Sequence, residues 1–222
     1  MKKNIRDIEV NYIQYGKEDG KDIVLLHGWG QNIEMMMPLG DKLLNYHITI
    51  LDFPGFGESD EPKTSLTIYD YVEILEELLS QLNINRPIVM GHSFGGRVAI
   101  VYASRNSVEK LVLFGSPCVR NKKRSIKECI FKTAKKIPGL NKVGEYAKKY
   151  VGSYDYRKAS PIMRETLVNV INEDLSEYAK KIKELAPYMK NKELIEWVNE
   201  DLREMNEIRQ KLEYMRKAKR SI

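Results

Sequence analysis

Only two cysteines, Cys118 and Cys129, occur in this chain of 222 residues. That excludes a disulfide framework and fits a reducing, cytoplasmic setting with two ordinary half-buried thiols. Long apolar runs are missing too: Ile23 to Leu26 is typical of what is present, and a bilayer span takes ~20 residues, so no membrane span is expected. Behind Met1-Lys2-Lys3 the chain turns polar, so no signal peptide is expected. Lys and Arg exceed Asp and Glu by 37 to 31, a formal charge of +6 too modest to indicate nucleic acid. Histidine is scarce: His27, His47 and His92 are the only three. No metal-ligand cluster, phosphate loop, internal repeat or low-complexity linker is found, and no cofactor is expected.

What is present in the first half is an alternation of short apolar runs with helical patterns, the signature of an α/β fold with a mostly parallel sheet and helices on both faces. Residues 8–15 read as an imperfectly alternating strand pair near a sheet edge. Ile23–Leu26, Ile48–Leu51, Ile88–Met90 and Leu111–Phe114 are continuous apolar runs, as expected of strands buried on both faces. Between the second and third, Ile68, Tyr71, Val72, Leu75, Leu78, Leu79 and Leu82 recur at helical spacing, with Thr67 placed to cap. Another helix should begin at about Phe94 and carry Val98, Ala99 and Tyr102 inward.

Beyond Ser116-Pro117 the texture changes. Residues 118–158 hold 13 Lys/Arg against 3 Asp/Glu, a local charge of 13 − 3 = +10, and read as short helices broken at Pro138-Gly139 and Gly152. A further helix is expected from about Ser160 to Lys183. The basic stretch is either a set of solvated helices or a surface for an anionic partner, such as a lipid surface or an acyl-CoA-like substrate. From about Lys190 to Lys219, Ile195, Val198, Leu202, Met205, Ile208, Leu212 and Met215 step by threes and fours, so a long amphipathic helix with a period near 3.5 is expected. That helix either folds back on its own core or forms a homo-oligomer through residues 190–219. The resulting division is a core over 1–117, a helical lid over 118–183 and a C-terminal amphipathic helix over 184–222.

Three motifs carry chemistry. Gly91-His92-Ser93-Phe94-Gly95-Gly96 fits G-x-S-x-G and stands between an apolar strand and a helix. A serine raised on so sharp a turn has a strained backbone, and only small neighbours let the chain pack around it. The following helix then aims amides, that of Phe94 included, at an oxyanion formed on a substrate. His27-Gly28-Trp29-Gly30 follows the first central strand, and Asp52-Phe53-Pro54-Gly55-Phe56-Gly57-Glu58-Ser59 follows the next. Together these motifs resemble the α/β-hydrolase superfamily, closely over residues 1–117 and loosely over 118–183. The resemblance implies a serine esterase-like site acting on a small ester or acyl substrate. Ser93 would be the nucleophile on a nucleophile elbow, and the backbone amides of Trp29 and Phe94 the oxyanion hole. His27, Gly28, Gly91, His92 and Gly95 would shape the site, and Asp52 would hold its loop. With serine at the elbow, haloalkane dehalogenase-like and epoxide hydrolase-like members, which carry Asp there, are not expected. Carboxylesterase-, thioesterase-, carbon–carbon bond hydrolase- and perhydrolase-like members remain.

The family order is Ser, then Asp or Glu, then His, yet all three histidines precede Ser93. His27 belongs to the oxyanion loop, His92 should point away from the site, and His47 starts a strand at the opposite end of the sheet. Glu193, Glu196, Glu200 and Asp201 fall on the polar face of the tail helix and supply no acid. The triad Asp and His and the last two family strands are therefore expected to be absent. Loss of the histidine costs about 10⁶ in turnover and leaves roughly 10³–10⁴ over water. Three readings follow: a truncated or recombined hydrolase, a non-catalytic relative that binds or assembles, or an enzyme whose base is supplied unconventionally or by another subunit.

Overall fold

The computed structural model describes residues 1–116, 156 and 159–185 of the chain. The expected helices within 118–155, the amphipathic stripe of 190–219, both cysteines and the carboxylates from Glu193 to Asp201 lie outside the described residues. Six strands form one sheet in the order β1-β2-β4-β3-β5-β6: β1 (Lys2–Ile5), β2 (Ile8–Gly16), β3 (Asp22–Leu26), β4 (His47–Leu51), β5 (Ile88–His92) and β6 (Lys110–Phe114). The four apolar runs are β3 to β6, all mutually parallel. Residues 8–15, expected to hold a strand pair, instead form the single strand β2, antiparallel to β1 on one side and to β4 on the other. Its hairpin partner is the polar N-terminal segment. The two-residue turn between them, Arg6 and Asp7, has φ of 53° and 62°, the left-handed pair that matches the twist of a hairpin.

Both faces of β3, β4 and β5 are covered, which explains their unbroken apolar runs, while β6 at the edge of the sheet is half-buried. Ile23, Leu25, Ile48, Ile50, Ile88 and Met90 pack on one face with Ile33 and Met36 of α1 (Ile33–Gly40). Val24, Leu26, Leu51 and Val89 pack on the other, against α2 (Ile68–Gln81) and α3 (Phe94–Arg105). Thr67 caps α2 as expected: its hydroxyl accepts from Asp70 N while the Asp70 carboxylate takes the Thr67 amide, so two otherwise orphaned donors are satisfied.

The helix expected from Ser160 to Lys183 is two helices, α4 (Pro161–Asn172) and α5 (Ser176–Leu185). Asp174 accepts from the Ser176 amide at 3.0 Å and from its hydroxyl, so a local side-chain bond competes with the helical one and restarts the chain. Buried Arg97 of α3 anchors the break by donating to Glu173 O at 2.6 Å. Val170 and Leu175 enter the core shared with α2 and α3.

Strands β4 and β5 lie on opposite sides of β3, so the chain reverses its direction of travel across the sheet there. The loops leaving the carboxyl ends of β3 and β5 diverge, and the crevice between them is where open α/β sheets present a ligand site. The His27–Gly30 loop and the Ser93 turn both fall at this place.

Candidate functional site

Ser93 joins β5 to α3 with φ 49° and ψ −106°. A left-handed backbone is costly for a residue with a Cβ, so the surroundings must hold it. Its amide donates to Phe114 O at 3.0 Å, prolonging the β5–β6 ladder, and its carbonyl accepts from Arg97 N at 3.2 Å. The flanking glycines are required by space. A side chain at Gly91 would stand 2.5 Å from Gly96 Cα, and one at Gly95 would strike the Leu26 carbonyl and come within 2.5 Å of His27 O. The helix thus starts directly on the end of β3, and Gly95 N donates to His27 O at 3.0 Å across that contact.

The opposing loop is held by a buried histidine. Phe53 N donates to His27 Nε2 at 3.0 Å, and an amide can only donate, so Nδ1 carries the proton and donates to Gly28 O at 2.8 Å. Burial pushes the His27 pKa down to about 4, which keeps the ring neutral. Phe53 and Phe56 meet it edge-on, at ring separations of 5.1 and 5.7 Å. Trp29, half-buried, meets Phe56 and Phe94 edge-on at 4.8 and 5.4 Å.

Asp52, next to Phe53 in the chain, is buried. Its carboxylate accepts from Asn11 Nδ2 at 2.8 Å, Ile33 N at 2.7 Å and Glu58 N at 2.9 Å. The hydroxyl of Ser59 donates to Asp52 O at 2.6 Å and accepts from Asn11 N at 2.8 Å. Asp52, Glu58 and Ser59 of that motif therefore bind one another and Asn11 of β2, and the carboxylate holds the turn with three accepted bonds.

His27, Gly28 and Trp29 of one loop and Gly91, His92, Ser93, Phe94 and Gly95 of the other share the carboxyl end of the sheet. His47 does not join them. It lies at the amino end of β4, where its Nδ1 pairs with Asp22 Oδ1 at 2.8 Å. Ring stacking holds His92 on Phe114 at 5.6 Å, and its Nδ1 bonds Gln31 Oε1 at 3.0 Å. No hydrogen bond joins Ser93 Oγ to a histidine or a carboxylate among the described residues. Among those residues, too, no group of three His, Cys, Asp or Glu side chains could hold a metal ion, and no helix is long and apolar enough to cross a membrane. Gln31 is a participant that the sequence did not reveal; a lone polar residue after His27-Gly28-Trp29-Gly30 carries no signal of its own.

Residues 22–214 match the family described as alpha/beta hydrolase fold. A pimeloyl-[acyl-carrier protein] methyl ester esterase of Shewanella woodyi is 39% identical over 102 residues, 45% of this chain and 38% of the relative. A proline iminopeptidase of Saccharolobus solfataricus is 42% identical over 108 residues, 46% of this chain and 34% of the relative. The matched segment thus spans little more than a third of these curated relatives. Among solved structures, the alpha/beta hydrolase MGS-M2 from a Medee basin deep-sea metagenome library superposes with a TM-score of 0.61 at 17% identity, covering 80% of this chain and 74% of the other. The esterase EaEST from Exiguobacterium antarcticum gives 0.59 at 21% identity, covering 79% and 75%.

Proposed function

Because the chain belongs to the alpha/beta hydrolase fold family, we propose that it takes a small ester or acyl substrate at Ser93, with the amides of Trp29 and Phe94 receiving the carbonyl oxygen. The observation that carries this reading is the left-handed Ser93 at the end of β5, held against the His27–Gly30 loop by the Gly95-to-His27 bond. The amide of Phe94 opens α3 and has no acceptor within its own helix, so it is available to a developing oxyanion. The names of the relatives, a methyl ester esterase and a lipase of Moraxella among them, agree with an ester or acyl carbonyl as the group attacked.

Attack by a serine hydroxyl needs a base for its proton. His27 has both ring nitrogens committed and is held neutral by burial, His92 is tied to Gln31, and His47 is at the other end of the sheet. Turnover by this chain is therefore slow, near the 10³–10⁴-fold over water that roughly remains when a triad histidine is lost. A fluorophosphonate probe with peptide mapping, alongside p-nitrophenyl ester hydrolysis, tests the proposal. Slow labelling confined to Ser93, with ester turnover far below that of a complete triad and little changed by Ser93→Ala, is the expected result. Labelling elsewhere, or nowhere, would refute Ser93 as nucleophile. Fast turnover abolished by Ser93→Ala would refute the missing base.

A further inference from the structure

We propose that Gln31 is a positioning residue that locks the His27–Gly30 loop to the Ser93 turn by way of His92. Gln31 Oε1 accepts from Gly28 N at 2.9 Å and bonds His92 Nδ1 at 3.0 Å. The amide of Gly28 can only donate, so the atom between these groups is the oxygen, and His92 Nδ1 must carry a proton to donate to it. One oxygen thus uses both lone pairs to join a residue of the β3 loop to the residue directly before Ser93. The same loop closes on itself through Gln31 N, which donates to Gly28 O at 3.2 Å. Gly28 is necessary to the arrangement, because a Cβ there would come 2.8 Å from both Gln31 Oε1 and His92 Nδ1.

Two consequences follow. The Gly28 amide is occupied and cannot receive a substrate oxygen, which leaves the next amide, that of Trp29, to do so. The separation of the two loops is also fixed from both sides: by the main-chain bond from Gly95 to His27 on one side and by the Gln31 bridge on the other. An oxyanion site depends on that separation, since misplacing a donor by about 1 Å can cost about 100-fold in rate. The effect on Ser93 rests on the function proposed above; the bridge itself does not.

The test uses Gln31→Met, which keeps length but cannot accept from an amide, and Gln31→Glu, which can. Nitrogen-15 NMR of the His92 ring reads the bridge directly, with or without any reaction at Ser93. The Nδ1–H tautomer should persist in the parent and in Gln31→Glu and be lost in Gln31→Met, while thermal midpoints confirm that each variant is folded. The rate of fluorophosphonate labelling at Ser93 should fall about 10- to 100-fold in Gln31→Met and recover in Gln31→Glu. An unchanged tautomer in Gln31→Met would overturn the bridge. A lost tautomer with an unchanged labelling rate would overturn the positioning role. A parent that never labels would refute the reading of Ser93 and leave the tautomer result to decide the bridge.

Discussion

His27 shows how a motif can give a residue's place in the chain without giving its bonds. Placed in a glycine loop, it reads as a residue that shapes the site, and it is wholly buried, spanning Gly28 O and Phe53 N as a neutral strut. Its folded pKa of about 4 lies below the ordinary 6.5, so the unfolded chain takes up the proton first. The stability this contributes is complete above pH 6.5 and is lost as the pH falls toward 4. Each unit in that window costs up to about 1.4 kcal/mol, or about 2 kcal/mol between pH 6.5 and 5. Urea unfolding at the two pH values should show that loss in the parent and a markedly smaller one in His27→Gln; an equal loss in both would mean that His27 is not the titrating group. The sequence showed where His27 stands in the chain but not its burial, because burial depends on Phe53 and Phe56 arriving from a different loop. Asp52 was legible as a loop-holding residue, since its own motif supplies the amide of Glu58 and the hydroxyl of Ser59. Gln31 was not, because its partners are Gly28 and His92, and only the fold puts them together.

At the scale of elements, what was legible is what burial writes into composition. Burial in the sheet leaves continuous apolar runs and α2 leaves a helical stripe, so β3 to β6 and α2 appeared within a residue or two, as did the start of α3. Elements with little to bury did not. Strand β1 is Lys2-Lys3-Asn4-Ile5, of which only Ile5 is buried, and α1 is a short helix containing Pro38. The break between α4 and α5 has no glycine or proline to announce it; it depends on Asp174 and on Arg97 reaching in from α3. The junction of β5 and α3 was the most legible of all, because steric demand leaves only glycine. Replacing Gly95 by alanine should therefore be far costlier than an ordinary helix substitution. The new methyl meets two main-chain carbonyls, those of Leu26 and His27, and main chain yields less readily than a side-chain end. A cost of about 3 kcal/mol is expected, the upper range for overpacking, together with loss of Ser93 labelling. A melting temperature within a degree or two of the parent would show that α3 does not start against β3.

For the molecule as a whole, the question is how segments a hundred residues apart in sequence come to support one site. The candidate site lies where β3 and β5 send their loops apart, and the Asp52–Ser59 turn is backed by α4, whose Met163 occupies the space that a side chain at Gly55 would need. A fully buried threonine on the same helix makes the join directional. Thr166 Oγ1 accepts from Leu66 N at 3.0 Å and donates to Ile162 O at 2.9 Å, while Asn169 Nδ2 donates to Leu66 O at 3.3 Å. Leu66 immediately precedes Thr67, the cap of α2, so this bond links α4 to the start of a helix on which the sheet packs. Valine at 166 keeps the shape and burial of threonine but offers no acceptor, leaving the Leu66 amide buried and unpaired, a penalty of about 1–3 kcal/mol. Serine keeps the acceptor and loses only a methyl group. Thr166→Val should accordingly lower the urea midpoint more than Thr166→Ser does. Because Val170 and Leu175 belong to the same core as α2 and α3, the loss should appear as a shift of one cooperative transition, with no early separate phase. A separate low-urea phase in Thr166→Val would instead mean that residues 159–185 detach on their own, and that α4 is not part of what holds the crevice in shape.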